Sequence, residues 1–349
     1  MLPLRDRHVD LGADFVMVNG GEMPNHYGDI DAEYRAVKDG VGLFDRSNRG
    51  KVRAVGADCL RFLHGMVTNT VEGLAEYEGN YSAIISAQGQ TLLDVWVHRL
   101  SDCVWLETEI GYAKKLMETL DRYLIADDVT LSDESDVWSI LGVQGPMAHD
   151  LICRVLGDVS GDLCEHHIVE CSVNNIPVWV TARSFTGEGG YDLRIEQAEA
   201  DVLWQALYEA GGLPVGWQVR EILRIEAGLP RYGVEIDESA VPLEAGLMHA
   251  VDFDKGCYIG QETIAKMHFR GQPRRYLVGL LVCGDAAICG NVTVDAKVVG
   301  RVTSCVKSRA SGQVIALAIL RRGYHEPGQK VMFEGGVEAE VTALPFESK

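Results

Sequence analysis

The chain has 349 residues, 47% hydrophobic and 24% charged, the balance of a folded globular protein with room for two or three domains. Its formal net charge of −19 argues against a nucleic-acid backbone or an anionic membrane as partner, because both would repel it. The opening segment MLPLRDRHVDLGADF mixes charges of both signs with no apolar stretch, so it is not read as a secretory signal, and no run approaches the roughly 18 apolar residues of a spanning helix.

In chain order, Val52–Val55 is apolar enough for a strand. Gly56-Ala57-Asp58 then turns, with Asp58 placed to cap a helix from Cys59 to about Met66. Tyr81–Ser86 and Thr91–Leu100 flank Ala87-Gln88-Gly89-Gln90, a hairpin signal. Val104–Thr108 adds a strand and Tyr112–Tyr123 a helix. The strand–turn–helix pattern returns at Trp138–Val143, Gln144-Gly145-Pro146 and Met147–Leu156, the helix stopping at Gly157. This recurrence predicts two related α+β halves. Ile176–Arg183 alternates as a strand, the loop FTGEGG (Phe185–Gly190) leads into Tyr191–Ile195, and Ala198–Ala210 is an amphipathic helix stopped by Gly211-Gly212. Val219–Ala227 is another short helix.

After Gly271-Gln272-Pro273 helical patterns nearly vanish. Strand-like runs at Leu277–Val282, Val298–Val306, Val314–Ile319, Lys330–Phe333 and Val337–Val341 predict a small β-barrel or sandwich. The boundaries are therefore 1–272 for an α+β region of two intertwined subdomains and 273–349 for the barrel. Nothing demands an oligomer, and a monomer is expected.

Nine cysteines, none in a CxxC pair, predict free thiols in a reducing compartment. Cytoplasm fits best, with an organelle matrix as the alternative. Cys164, His166, His167 and Cys171 form one loose group rather than two paired knuckles, so they read as a surface His pair and core thiols, and no metal site is expected.

Several blocks resemble the glycine-cleavage T-protein (aminomethyltransferase) superfamily: EYRAVKDGVGLFDRSNRGKVRAVGADCLRFL from Glu33, YSAIISAQGQTLLDVWV from Tyr81, FTGEGGYDL from Phe185 and REILRIEAGLPRYGVEIDESAVPLEAGL from Arg220. The octapeptide KGCYIGQE (Lys255–Glu262) resembles the signature of one branch, the YgfZ-type folate-binding proteins linked to iron–sulfur cluster assembly and repair. The resemblance implies an α+β aminomethyltransferase-like folate-binding fold with a C-terminal small β-barrel, and tetrahydrofolate as ligand.

On that resemblance, Asp192 matches the carboxylate that accepts the pterin amino and ring N–H groups side by side, one methylene shorter than the usual Glu, with Glu188 as the fallback. Asp94 matches an aspartate near the folate nitrogens, where a negative charge would favour a developing iminium or ammonium centre. Tyr81 and Phe185 match aromatics that pack on the flat rings. Arg220 matches an arginine that grips the folate tail carboxylates, and Arg274 and Arg275 are further candidates. Two positions depart from the family: Leu93 stands where a second aspartate is usual, and Glu107 and Thr108 where an asparagine meets the pterin. Read without the resemblance, Glu188 and Asp192 are solvated charges, Arg220 is equally an ion-pair partner of Glu221 or Glu226, and the aromatics are core.

Cys257 lies between two glycines and two residues after Lys255, ahead of a helix predicted over Glu262–Met267. A nearby cation and a helix N-terminus favour thiolate. A buried inert thiol is the alternative, since free Cys is often core. One thiolate does not hold a cluster that takes four ligands. The sequence reading is a tetrahydrofolate-binding accessory protein for iron–sulfur cluster assembly or repair, with client enzymes or assembly proteins as partners and Cys257 and Asp94 as the chemical residues. Its alternative is a tetrahydrofolate-dependent aminomethyltransferase or methyltransferase/demethylase acting on a small substrate.

Overall fold

A computed structural model describes residues 2–159, 163–285, 288–333 and 336–346. The fold is mixed α+β with a closed C-terminal barrel. Its contacts divide it into two compact units. The first comprises Met1–His64, Thr70–Tyr81 and Val95–Arg220, the second Gly65–Asn69, Ser82–Asp94 and Glu221–Lys349.

The expected strands form where the β-branched runs and turn residues placed them. One sheet has the spatial order Glu78–Ile85, Thr91–Arg99, Val104–Thr108, Gly50–Val55, Thr130–Asp133. The other runs Ile168–Val173, Ile176–Ala182, Gly190–Glu196, Trp138–Gln144, Gly42–Asp45, Leu213–Pro214, with only the last pair parallel. Upstream of the first expected strand, the structure adds the hairpin Asp14–Val18/Gly21–His26 and the helix Ile30–Asp39. That helix starts at Asp29, whose carboxylate accepts from Asp31 N and Ala32 N. Asp58 behaves differently from its expected capping role: its carboxylate accepts from Asp128 N at 2.9 Å and from Arg61.

Alternation on the six-stranded sheet decides where chemistry can sit. Leu193 and Ile195, Val178 and Val180, and Leu141 and Val143 face one way, onto Leu151, Ile152, Leu203, Trp204 and Leu207 of the helices Ala148–Leu156 and Ala200–Glu209. Each such buried side chain contributes roughly 1.5–3 kcal/mol. The intervening residues, Asp192 and Arg194, Trp179 and Thr181, point to the opposite face, which is also buried at Asp192 and Arg194.

In the second unit, Arg275–Val282, Val314–Arg321, Lys297–Lys307, Asn291–Val294, Lys330–Phe333 and Glu338–Thr342 close into a barrel in that order. Its interior is filled by Leu280, Val292, Ala316, Ala318, Leu320, Phe333 and Val341 rather than left as a pore. Alternation along Val314–Arg321 is incomplete because Ile315 and Leu317 on the outer face are buried too, packing on Ile225 and Phe346. Arg224 of the helix Trp217–Glu226 grips Glu221 through two bonds of 2.7–2.8 Å and donates to Glu235 and to Ser304 of the barrel. Glu226 accepts from Ser308 Oγ, Arg309 N and Ala310 N, which closes a barrel turn.

Candidate functional site

The two sheets of the first unit contribute polar faces by strict register. On the five-stranded sheet, Trp96 lies opposite Glu107 and Glu107 opposite Lys51, while His98 lies opposite Trp105 and Trp105 opposite Arg53. On the six-stranded sheet, Asp192 lies opposite Thr181 and Gly142, and Arg194 opposite Trp179 and Ile140. A buried ionic cluster results. Glu107, 2% exposed, accepts from Arg49 Nε and from Arg183 Nη1 at 2.9 Å, with Arg46 Nη2 at 3.5 Å and Arg194 Nη2 at 4.0 Å. Arg49 also reaches Glu109 at 3.1 Å. Arg46 Nη1 bonds both oxygens of Asp192, and Arg183 Nη1 lies 3.1 Å from the same carboxylate.

The electrostatics follow from burial. Burial alone would raise the Glu107 carboxyl, but Arg183, Arg49, Arg46 and Arg194 together hold it well below its ordinary range. Burial lowers the Arg46 guanidinium to about 9, Asp192 opposing it, and Arg194 to about 10 against Glu107. Lys51 is lowered to about 7, by burial first and then by Arg194, and its ammonium donates to the Ser47 and Arg49 carbonyls. His98 is lowered to about 3, chiefly by burial and then by Arg194, so its imidazole is neutral across physiological pH. Five cations (Arg46, Arg49, Lys51, Arg183, Arg194) thus share a buried region with three carboxylates (Glu107, Glu109, Asp192). A cavity of about 10 Å³, room for about one water, lies against Glu107, Arg183, Asp192 and Arg194.

The residues singled out from sequence fall as follows. In the first unit, Phe185 is buried with its ring under the Arg46 guanidinium at 4.1 Å and edge-on to Phe44 at 5.2 Å. The ring fits because residue 142 is glycine: a Cβ there would come within 2.7 Å of it. Tyr81 is buried beside Trp96 at 4.6 Å, and Trp96 carries the Arg183 guanidinium at 3.8 Å. Arg220 is buried over the Trp217 ring at 4.6 Å. Glu188 is half-buried and paired with Lys38. Asp192 is 5% exposed and held by arginines as described.

In the second unit, Asp94 is 7% exposed, with fully buried Leu93 and Val95 on either side in sequence. Arg275 donates to Glu244 at 2.8 Å and to the Ser239 carbonyl. The octapeptide acts as a latch. Lys255 Nζ donates to the carbonyls of Val67 and Asn69, both at 2.8 Å, and lies 5.0 Å over the Tyr258 ring. Gly260 has φ +80°, and a Cβ there would sit 2.3 Å from the Ser86 carbonyl, so only glycine admits this close approach. The helix that follows is Gln261–Arg270. Cys257 is exposed. Among the described residues no group of three or more His, Cys, Asp or Glu side chains is placed to hold a metal ion.

The arginines at 46, 49, 183 and 194 were not singled out from sequence. The available signal was three cations within six residues, Arg46, Arg49 and Lys51, entering an apolar strand, where unpaired charge would be costly.

Fold and site together define a two-sheet α+β scaffold built around a buried ionic cluster, with a closed barrel at its C-terminus. Residues 4–255 match the GCVT N-terminal domain and residues 275–347 the glycine cleavage T-protein C-terminal barrel domain. The chain belongs to the glycine cleavage T-protein family. It is 35% identical to an aminomethyltransferase from Rubrobacter xylanophilus over 99% of this chain and 93% of the relative. It is 31% identical to one from Herpetosiphon aurantiacus over 99% and 97%. The crystal structure of glycine cleavage system aminomethyltransferase T from Bartonella henselae superposes with a TM-score of 0.91, covering 99% of this chain and 98% of that one at 24% identity, a likeness of fold.

These matches support the superfamily and not the YgfZ-type branch. They overturn the expectation of an iron–sulfur accessory protein, since full-length relatives carry the name aminomethyltransferase. The physical reason is local. Lys255 and Gly260, which made the octapeptide look like a reactive signature, are accounted for by loop packing. Among the described residues no helix is long and apolar enough to cross a membrane.

Proposed function

We propose that the protein is a tetrahydrofolate-dependent one-carbon transferase of the aminomethyltransferase kind, acting on a small substrate. Asp94 carries this reading. It is a carboxylate at 7% exposure between Leu93 and Val95, in the block from Tyr81 that resembles the family. The resemblance supports a folate nitrogen near this residue. Bound tetrahydrofolate would supply the nitrogen that receives the carbon unit. Asp94 would stabilise positive charge developing there, as a preorganised anion in a water-poor site. Within the first unit, Tyr81 and Phe185 are buried aromatics and Arg220 a buried guanidinium, the residue types the resemblance implies for flat rings and a carboxylate tail. The fit fails at Asp192, whose two oxygens are already met by Arg46 and Arg183, so no ligand contact is assigned to it.

Calorimetric titration with tetrahydrofolate, followed by turnover assays with aminomethyl and N-methyl amine donors, tests the proposal. Asp94→Asn is expected to change tetrahydrofolate affinity less than about threefold and to lower turnover by about 10²-fold or more. Absence of saturable binding would remove the cofactor. Unchanged turnover in the variant would remove Asp94 from the chemistry.

A further inference from the structure

On the same faces of the two sheets that carry the ionic cluster, Trp105, Trp138 and Trp179 of the first unit meet in a corner. Their ring centroids are 5.1–5.5 Å apart, and the planes cross at 61°, 85° and 87°. An open cavity of about 380 Å³ lies against them, with Tyr77 on its wall. Trp138 and Trp179 pack on the buried cluster of Leu100, Cys103, Trp105 and Ile168 and are only half-buried, so part of each ring stays accessible. The rim is acidic: Asp102, Glu134 and Glu170 stand against Arg53 alone. Glu134 accepts from Trp138 Nε1 at 2.8 Å, which locks that indole, and Arg53 is bound to Asp102 at 2.6 Å. One face of Trp105 already carries a cation of the protein, Arg194 at 3.8 Å.

The three indoles meet edge to face, the half-exposed sides of Trp138 and Trp179 line the cavity, and a surplus of carboxylates surrounds them. A neutral apolar ligand gains nothing from the acidic rim. A compact primary ammonium would seat on the rim carboxylates and leave the rings unused. An N-methylated ammonium matches both features, because its diffuse charge is weakly hydrated and its methyl groups pack against rings. We propose that this aromatic corner is a binding site for an N-methylated ammonium ion. The proposal stands on the pocket alone and does not depend on folate binding.

Choline titrated into the full-length protein at constant ionic strength, read by indole fluorescence, tests it, with 3,3-dimethylbutan-1-ol as the uncharged isostere. Saturable binding of choline is expected, with the alcohol weaker by about 10-fold, and Trp179→Ala is expected to weaken choline by about 10-fold or more. Glu170→Lys alters only an exposed rim residue, so it leaves the fold intact and decides the matter if the Trp179 variant does not fold; it is expected to weaken choline several-fold. Failure of choline to saturate, equal affinity for the alcohol, or unchanged choline affinity in a folded Trp179→Ala or in Glu170→Lys would overturn the assignment.

Discussion

Arg46 donates to both carboxylate oxygens of Asp192 from a single guanidinium nitrogen, across 146 residues of sequence, with both side chains buried. Asp192 therefore acts first as a counter-ion. Asp192→Asn keeps the shape and removes the charge, leaving Arg46 and Arg183 under-compensated. Breaking a buried pair in this way costs about 3–5 kcal/mol. Urea unfolding is expected to show that loss. Tetrahydrofolate affinity, measured below the unfolding transition, is expected to change less than about threefold, under ~1 kcal/mol. The reverse outcome, an intact midpoint with collapsed affinity, would place this carboxylate on the ligand.

Glu107 is the hub of the same cluster. Glu107→Gln removes the anion that Arg49, Arg183, Arg46 and Arg194 share, and is expected to destabilise by about 3–5 kcal/mol. Adding Arg194→Met removes a cation that loss of the Glu107 charge leaves under-compensated, so the double variant is expected to be more stable than Glu107→Gln alone. A thermal-melt series of the four proteins measures this coupling. Strict additivity would mean that the cluster is not one unit.

His98 sets a pH dependence whose sign follows from linkage. Its folded pKa is about 3, against 6.5 for an unperturbed imidazole, so between those values the unfolded chain binds the proton and the folded protein does not. Stability from this group is complete above about pH 6.5 and falls as pH drops toward about 3. Replacing His98 with Gln should flatten the slope of unfolding free energy against pH over about pH 4–6. A wild-type slope that persists unchanged in the variant would assign the effect to carboxylates instead.

The octapeptide should respond through Lys255 rather than through its thiol. Lys255→Met removes two charge-assisted bonds to Val67 and Asn69, and is expected to destabilise by about 2–3 kcal/mol and to speed amide exchange over residues 65–69. Cys257→Ser, at an exposed position, should stay within about 0.5 kcal/mol of the parent. A larger effect from Cys257 than from Lys255 would contradict the latch.

Much of this was legible because it is local. The hairpin around Ala87–Gln90, the strand at Gly190–Glu196 and the helix at Ala200–Glu209 announce themselves by turn residues and by periods of 2 and 3.6. The run of short strands after Pro273 announced the barrel in the same way. The helix Ile30–Asp39 went unread although Asp29 caps it. The octapeptide misled for a different reason. Two glycines, a lysine and a thiol look alike whether they serve a ligand or a tight turn, and only the contacts of Lys255 and Gly260 separate the two.

By itself the sequence determined most of the elements, the barrel and the family, since alternation, turns and contiguous blocks are properties of neighbouring residues. It also marked Asp94 as a charge in an apolar strand. Only the tertiary structure decided what the charges do. Asp192 and Arg46, or Glu107 and Arg183, meet through the pairing of strands and sheets, and nothing within a window of sequence encodes which distant cation will answer a buried carboxylate. The same holds for Trp105, Trp138 and Trp179, three ordinary strand tryptophans that become a corner because two sheets bring these faces together.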